Sequence, residues 1–354
     1  MKKPDKIKIL VVDDSAFMRR VIADILSEDP RFEVVGRARN GAEAMEAVRT
    51  LSPDVVTLDM EMPGKNGIEV LEEIMDFKPV PVVMVSCLTK KNANETMRAL
   101  DLGAVDFVTK PSGNISPDMR KVGDELRRKV AGASRAIFLG PRGAGKSPHA
   151  REPFPPPPRR GASKGKFEML VIAASTGGPK ALQEIIPNLS GDFPLPVMIV
   201  QHMPPGFTTS FAKRLDERSG LTVVEGRDGM PVRKGTVVIA PGGYHLMAER
   251  KGADILCKLA GTPPVRSVRP AADVLFTSVS ETACGSVLAL ILTGMGKDGL
   301  DGAKTLKDKG AYIIAESRET SVIFGMPGAV VAAGLADEVL PLYAIAEGLE
   351  RVAR

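Results

Sequence analysis

Residues 6–28, KIKILVVDDSAFMRRVIADILSE, decide the fold class. An apolar run ends in two acidic residues, which is typical of a buried strand, and the next stretch places Phe17, Val21, Ile25 and Leu26 at helical spacing. Strands and helices then alternate to about residue 131 through FEVVGRA, GAEAMEAVRTL, DVVTLD, GIEVLEEIM, PVVMVSC, NANETMRALDLG, DFVTK and a last helix from Ser116 to Gly132. Five such units predict a doubly wound α/β domain, in which helices cover both faces of a parallel sheet.

The same alternation returns at Phe167 and continues to the end of the chain. Buried strands are predicted at FEMLVIAAS, PVMIVQHM, GTVVIAP, SVLALILTG and AYIIAES, with helices between them. A short polar β stretch at roughly 222–258 interrupts the pattern and predicts a small β insertion. We therefore expect a domain at 5–131, a linker at 132–166 and a second doubly wound α/β domain at 167–354.

The linker contains the motif GPRGAGKS at 140–147, which matches the phosphate-loop pattern of nucleotide-binding proteins. A working phosphate loop leads into a helix, but Pro148 follows directly and PPPP comes at 155–158. We therefore expect no nucleotide at this motif. The segment 132–166 holds eight Lys and Arg residues against one acid, so it accounts for the whole net charge of +5. Charge confined to a linker gives no reason to expect a nucleic-acid partner.

The composition describes an ordinary globular protein of about two domains. Its 354 residues are 44% hydrophobic and 26% charged, and no apolar run approaches the ~20 residues of a membrane span. Asp13 and Asp14 interrupt the N-terminal apolar run before it could form a cleavable signal. We expect a cytoplasmic protein without membrane insertion. The three cysteines are too widely spaced to predict a disulfide framework or a metal-ligand pair.

Acidic and other polar residues lie at the ends of four strands of the first predicted domain. Asp13 and Asp14 end the first strand, Asp59 ends the third, Ser86 ends the fourth and Lys110 ends the fifth. The carboxyl ends of parallel strands meet at one rim, so these side chains should converge. Three carboxylates at one rim repel one another unless a cation lies among them, and oxygen ligands favour Mg²⁺.

Three further polar residues follow three strands of the second predicted domain. Ser175 lies where a strand turns into a helix, His202 ends the next strand, and Asp298 follows a later strand. A serine, a histidine and an acid at one rim are what nucleophilic acyl transfer needs. Of the other two histidines, His149 lies in the linker, and His245 has no acid nearby in sequence but could line the cleft. The pattern is not the nucleophile elbow of α/β-hydrolases, and no zinc motif is present.

Residues 7–131 resemble a response-regulator receiver domain with the flavodoxin-like fold, on the segments VVDDS, LDMEMPGKNGIEVL, VMVSCL and FVTKP. The resemblance implies that Asp59 accepts a phosphoryl group from a histidine kinase. It implies that Asp14, Asp59 and the backbone carbonyl of Glu61 hold Mg²⁺, with Asp13 assisting. Lys110 and Ser86 contact the phosphoryl group, and Phe107 is the aromatic residue that reorients.

Residues 167–354 resemble the catalytic domain of chemotaxis receptor methylesterases, the CheB family, with a Rossmann-like fold. The matching segments are IAASTGGP, IVQHMPPGFT, APGGYHL, RPAADVLF, LTGMGKDG and FGMPGAV. The resemblance implies a Ser175, His202 and Asp298 triad without a cofactor, with Thr176 and the backbone around Met295 stabilising the oxyanion. It also implies hydrolysis of glutamate γ-methyl esters on chemoreceptors and deamidation of particular glutamines.

The two resemblances together predict a serine hydrolase under phosphorylation control. In the family the unphosphorylated receiver covers the hydrolase cleft, and phosphorylation at Asp59 relieves this. The alternative is a receiver-controlled regulator of a related sensory array, whose second domain binds a partner without catalysis. Such a module has no need of Ser175, His202 and Asp298 at three strand ends.

Overall fold

A computed structural model describes residues 6–87, 89–111, 113, 116–136 and 167–354. The chain divides into two units, Met1–Phe138 and Leu139–Arg354. The phosphate-loop motif at 140–147, His149 and most of the predicted linker lie outside the described residues. Within the described part of the chain, no helix combines the length and apolar character needed to cross a membrane.

The first unit contains a five-stranded sheet in the order β2-β1-β3-β4-β5, and all of its strands are parallel. The strands are β1 (Ile7–Val12), β2 (Phe32–Ala38), β3 (Val55–Asp59), β4 (Val82–Cys87) and β5 (Asp106–Lys110). The helices are α1 (Ala16–Ser27), α2 (Gly41–Leu51), α3 (Gly67–Phe77), α4 (Lys90–Asp101) and α5 (Gly123–Ala133). Helix α1 packs with α5, whereas α3 packs between α2 and α4, so helices cover both faces. This confirms the doubly wound α/β prediction.

The last helix of this unit differs from the prediction in its first turns. Residues Pro117–Val122 form a 3₁₀ helix, and α5 begins only at Gly123 and ends at Ala133. The Met119 amide donates to the Ser116 carbonyl over 3.1 Å, an i to i+3 bond that tightens the turn.

The second unit contains a seven-stranded parallel sheet in the order β14-β13-β12-β6-β7-β9-β8. Its strands are β6 (Phe167–Ala174), β7 (Val197–Gln201), β8 (Thr222–Glu225), β9 (Thr236–Ile239), β12 (Ser286–Ile291), β13 (Tyr312–Glu316) and β14 (Glu338–Leu340). The helices are α6 (Gly178–Ile185), α7 (Phe207–Asp216), α8 (Ala272–Thr282), α9 (Leu300–Asp308), α10 (Met326–Ala332) and α11 (Leu342–Ala353), and a 3₁₀ turn follows α6 at Ile186–Asn188. The chain moves outward from β6 to β7 on one side and later resumes on the other side at β12. The carboxyl end of β6 is thus the point where the strand order reverses, which is where ligands bind in such sheets.

The predicted β insertion at 222–258 is wrong in its extent. Strands β8 and β9 belong to the main sheet, and only β10 (His245–Lys251) and β11 (Asp254–Ala260) form a separate antiparallel hairpin. The hairpin packs on α8, where the Ala248 amide donates to the Ser278 hydroxyl over 3.0 Å. The stretch appears polar in sequence because β8 is an edge strand, where polar residues can face solvent.

The core of the second unit extends from the central strands to the hairpin and α8. Every second residue of β6, β12 and β13 points to the same face of the sheet. The apolar side chains on this face pack against Leu275, Phe276 and Val279 of α8. Leu246 and Cys257 of the hairpin belong to the same cluster. This packing fixes α8 next to the carboxyl ends of the central strands, because helix and hairpin share one buried apolar surface.

Candidate functional site

A tight turn between β6 and α6 holds Ser175. Its amide donates to the Thr293 carbonyl over 3.0 Å, and its own carbonyl accepts from the Gly178 amide over 2.8 Å and from the Gln201 side-chain amide over 3.0 Å. Gly177 has φ +80°, and a Cβ there would lie 2.7 Å from Val322. The turn therefore requires glycine, and its hydrogen bonds leave the Ser175 side chain at the rim of the sheet.

His202 lies between Ser175 and Asp298. Its Nδ1 is 3.0 Å from Ser175 Oγ, and its Nε2 is 2.7 Å from Asp298 Oδ2. A carboxylate only accepts hydrogen bonds, so the ring proton lies on Nε2 and the Nδ1 lone pair faces the serine hydroxyl. We call these three side chains the Ser–His–Asp relay. The structure thus brings together the three strand-end residues that the sequence singled out.

Asp298 is almost fully buried, at 2% exposure, and is held mainly by main-chain groups. Ala272 N–H donates to its Oδ2 over 2.6 Å, and Asp273 N–H donates to its Oδ1 over 3.0 Å. Burial alone would raise the pKa of Asp298, but the hydrogen bond from His202 and the two amides at the N-terminus of α8 lower it. The carboxylate is therefore kept ionised beside the imidazole.

The loop that follows β12 approaches the nucleophile from the side. A Cβ on Gly294 would lie 2.8 Å from Ser175 Cβ, so this glycine allows the close approach. Met295 comes next and is half-buried, and Thr176 is buried, with its carbonyl accepting from Thr293 Oγ1 over 3.0 Å. Thr176 and the Met295 backbone thus belong to the segments that border Ser175.

Three residues around the Ser–His–Asp relay escaped the sequence reasoning or had no assigned role. Gln201 bridges the carbonyls of Ser175 and His202. Glu316 is fully buried and accepts from the Thr293 amide over 2.7 Å and from Thr320 Oγ1 over 3.0 Å. Burial raises the pKa of Glu316 to about 7. Gln201 and Glu316 are the last residues of their strands, so the strand-end signal that found Ser175 could also have found them.

His245, the third, is fully buried rather than at the cleft surface, and both of its ring nitrogens contact main-chain groups. A histidine in the sequence gives no sign of such contacts, because the partners are backbone atoms distant along the chain.

In the first unit, Asp13, Asp14 and Asp59 form an acidic rim, with one oxygen of each lying within 4.8 Å of the others. Asp13 and Asp59 are buried and Asp14 is exposed. Lys110 Nζ lies 2.9 Å from both Asp13 Oδ2 and Asp59 Oδ1. Three carboxylates and one ammonium group leave an excess of negative charge, and the donors are all oxygen. This set fits a hard divalent cation such as Mg²⁺.

The acidic rim also changes the protonation of its members. Burial raises the pKa of Asp59 to about 7, against the opposing effect of Lys110 and with a further increase from Asp13. Burial likewise raises the pKa of Asp13. For Lys110, burial opposes the charge, but the two carboxylates Asp59 and Asp13 raise its pKa. The ammonium group therefore stays charged beside the phosphoacceptor candidate.

The remaining predicted residues of the first unit lie on β4, β5 and the loop after β3. Ser86 is fully buried and directly follows Val85, the residue of β4 that pairs with Asp59. Its hydroxyl oxygen accepts a hydrogen bond from Thr96 Oγ1 over 3.1 Å. Phe107 is also buried, and Lys129 of α5 lies 5.0 Å from its ring centroid. Glu61 is half-buried two residues beyond Asp59. The roles of Ser86, Phe107 and Glu61 at a phosphoryl site stay predictions.

Fold and geometry together define a class: one α/β unit with an acidic rim, joined to a second α/β unit with a Ser–His–Asp relay. Comparison with known proteins assigns the family. Residues 170–349 match the family model of the CheB methylesterase, and residues 9–116 match that of the response regulator receiver domain. The chain belongs to the CheB methylesterase family, which confirms the resemblance.

Full-length relatives carry both units. A protein-glutamate methylesterase/protein-glutamine glutaminase of Geobacillus kaustophilus is 49% identical over 97% of this chain and 97% of its own length. The protein of the same name from Thermotoga maritima is 47% identical over 97% of each chain. The crystal structure of the Thermotoga maritima CheB methylesterase catalytic domain is 47% identical, with a TM-score of 0.52, and covers 52% of this chain and 98% of that chain. Relatives that match this chain over nearly its whole length therefore carry the name of a methylesterase and glutaminase.

Proposed function

We propose that this chain is a phosphorylation-activated serine hydrolase that removes methyl groups from glutamate γ-methyl esters of chemoreceptors and deamidates specific glutamines. The observation that carries the proposal is the Ser–His–Asp relay, with contacts of 3.0 and 2.7 Å. The names of the full-length relatives support the choice of substrate. Catalysis by this relay needs no cofactor in the second unit.

The relay performs acyl transfer in two steps. His202 Nδ1 takes the Ser175 proton as Oγ attacks the ester carbon, and the same proton passes to the departing methoxy oxygen, which leaves as methanol. A water molecule then attacks the acyl-enzyme, with His202 again as the base, and releases the free glutamate and Ser175. A glutamine side chain follows the same path with ammonia as the leaving group. Thr176 and the Met295 backbone stabilise the oxyanion in both steps.

Control of this activity lies in the first unit. Asp59 accepts a phosphoryl group from a histidine kinase, and Lys110 and Ser86 contact the transferred group. Asp14, Asp59 and the Glu61 backbone carbonyl would hold Mg²⁺, with Asp13 assisting, and a bound ion would supply positive charge that offsets the phosphoryl oxygens. Phe107 reorients after phosphorylation. The kinase and the signalling domains of the receptors are the partners, which is consistent with the cytoplasmic location predicted from the sequence.

Ser175→Ala tests the hydrolase. The change removes the nucleophile, so release of methanol from methylated receptors should fall by at least about 10³-fold. Mass spectrometry of receptor peptides follows both reactions, because demethylation and deamidation change the mass in opposite directions.

Ser317→Ala is the matched control, because Ser317 also follows a strand of the same sheet and its hydroxyl has no partner among the described residues. It should retain full activity. Full esterase activity in Ser175→Ala would contradict the proposal and favour a partner-binding module.

A further inference from the structure

Three successive backbone N–H groups at the start of α8 face two different side chains. Ala271 N–H donates to His245 Nδ1 over 3.1 Å, and the next two amides donate to the two oxygens of Asp298. The first amides of a helix have no acceptor within the helix, and Ala271 at the N-cap has no side-chain oxygen to supply one. His245 and Asp298 thus satisfy one continuous stretch of main chain. We call the N–H groups of Ala271, Ala272 and Asp273 the α8 amide row.

The hydrogen bonds of His245 select one tautomer of its ring. Its Nδ1 accepts from the α8 amide row, so the proton lies on Nε2, which faces the Pro263 carbonyl over 3.2 Å. The residue is fully buried. With both nitrogens engaged by main chain, the imidazole has no free position from which to exchange a proton with substrate.

His245 ties together the two ends of the segment that connects β11 to α8. Pro263 lies near the start of this segment and Ala271 at its end. A second tie comes from Arg266, whose Nε lies 3.0 Å from Asp273 Oδ2. Arg266 has φ +50°, so the segment is held in an uncommon conformation by its contacts. The imidazole is the tie that contacts the amide directly preceding the two that bind Asp298.

We propose that His245 is a positioning residue for the Ser–His–Asp relay. It fixes the peptide at Ala271, and this orients the next two amides so that Asp298 presents Oδ2 to His202. The proposal rests on the hydrolase function given above. Displacement of a catalytic group by ~1 Å can cost about 10²-fold in rate, so the loss of this tie acts on kcat.

Two substitutions separate the two nitrogens of the ring. In His245→Asn the side-chain oxygen occupies the place of Nδ1 and can still accept from Ala271, whereas His245→Gln places its polar atoms near Nε2 and leaves that amide unpaired. We expect kcat to fall by about 10- to 100-fold in the Gln variant, with KM unchanged within about twofold. The Asn variant should stay within about threefold of the parent kcat. Equal losses in both variants, or a change in KM alone, would overturn the proposal.

Ser278→Ala provides the control for loss of a buried acceptor. It changes a residue of the same helix and leaves the Ala248 amide of β10 unpaired, away from the α8 amide row. We expect it to lower the melting temperature about as much as His245→Gln does and to leave kcat unchanged. If it lowers kcat equally, the effect of His245 is one of general stability and positioning is excluded.

A double-mutant cycle tests whether His245 acts through Asp298. In the Asp298→Asn background, His245→Gln should lower kcat by less than about twofold further, because the group it positions is already neutral. Multiplication of the two single losses would show that His245 acts by another route.

Nitrogen-15 labelling of histidine gives a readout that does not depend on turnover. The chain has three histidines, so only three imidazole rings contribute signals in the full-length protein. The Nε2–H signal of His202, shifted downfield by Asp298, should persist in His245→Asn and weaken or shift in His245→Gln. If the parent protein hydrolyses no methyl ester, the proposed function fails, and an unchanged His202 signal in the Gln variant still overturns the positioning role.

Discussion

At the scale of single residues, two buried carboxyl groups of the second unit have opposite properties. Asp298 receives hydrogen bonds from two amides and from His202, and its pKa is lowered despite burial. Glu316 accepts hydrogen bonds from one amide and one hydroxyl group. Burial raises the pKa of Glu316 to about 7, and the exposed Glu184 adds a smaller increase. The number and charge of the donors decide which carboxyl stays ionised, since both are withdrawn from water.

Glu316 should make the stability of the second unit depend on pH. Its pKa is raised above the ordinary 4.5, so the folded state binds more protons between about 4.5 and about 7, and the free energy of unfolding falls as pH rises through that window. Glu316→Gln should remove up to about 3 kcal/mol of this decrease. Urea unfolding of the full chain at several pH values measures it by tyrosine fluorescence, because all three tyrosines lie beyond residue 166.

Glu184→Gln serves as the control for that experiment, because Glu184 is exposed and should change the pH profile little. If the parent and Glu316→Gln lost stability in parallel across the window, Glu316 would not be the titrating group.

The sequence was sufficient to find three residues whose side chains meet at the strand ends, although it missed Gln201 and Glu316 at the same edge. Ser175, His202 and Asp298 were found because a parallel sheet brings the ends of its strands together, and the structure places them within hydrogen-bond distance. The role of His245 could not be read in this way, since its partners are backbone atoms of Pro263 and Ala271. Nearly every residue has the same backbone N–H and C=O groups, so a sequence pattern cannot show which of them a side chain contacts.

At the scale of elements, close approaches of backbone explain two of the turns that carry functional residues. A Cβ on Gly67 would lie 2.1 Å from the carbonyl oxygen of Asp59, and the Gly67 amide donates to the Met60 carbonyl over 3.0 Å. The loop after β3 therefore closes onto the phosphoacceptor candidate at the first residue of α3. Gly178 likewise allows a close approach at the start of α6, because a Cβ there would lie 2.1 Å from Gln201 Oε1.

Gly67→Ala should impair phosphorylation at Asp59. The added methyl group meets backbone that cannot move without shifting Asp59, and phosphoryl transfer depends on position, so labelling by acetyl phosphate should slow by about tenfold or more. The rate can be followed by intact-protein mass spectrometry with Mg²⁺ present.

Gly123→Ala is the matched control, because Gly123 also begins a helix of this unit and its Cβ would meet only side-chain atoms, the nearest at 3.3 Å. Its labelling rate should equal that of the parent protein. Equal rates in the Gly67 variant would show that the Asp59 backbone tolerates the displacement.

Element types were predicted well where apolar runs are long and less well where strands are short or exposed. The central strands are buried along their length and were recognised from their continuous apolar runs. Strand β8 has four residues at the sheet edge and was assigned to an insertion instead. The first turn of the last receiver helix was also misjudged, because 3₁₀ and α-helical turns share the same starting residues.

At the scale of the whole molecule, activity in one unit is expected to respond to chemistry in the other. Asp59→Asn removes the proposed phosphoacceptor, so acetyl phosphate with Mg²⁺ should no longer raise esterase activity, while basal activity persists. Any such control requires that phosphorylation change the relative stability of two states of the chain. Esterase assays with and without acetyl phosphate measure the effect, and removal of Mg²⁺ by a chelator should abolish activation of the parent protein.

Asp54→Asn controls for the loss of a carboxylate next to the same strand. Asp54 directly precedes β3, whereas Asp59 ends it, and Asp54 accepts from the Lys8 amide over 2.8 Å. Activation should survive in this variant. An Asp59→Asn protein that acetyl phosphate still activates would exclude Asp59 as the switch.

The α8 amide row has a consequence for how the chain can vary. Two of the three donors that keep Asp298 ionised belong to the peptide backbone, so replacement of the Ala272 or Asp273 side chain leaves the donors themselves in place. Of the twenty amino acids only proline deletes a backbone N–H. Across natural or engineered variants, position 272 should therefore accept a range of residues within the limits of packing, and positions 272 and 273 should both exclude proline.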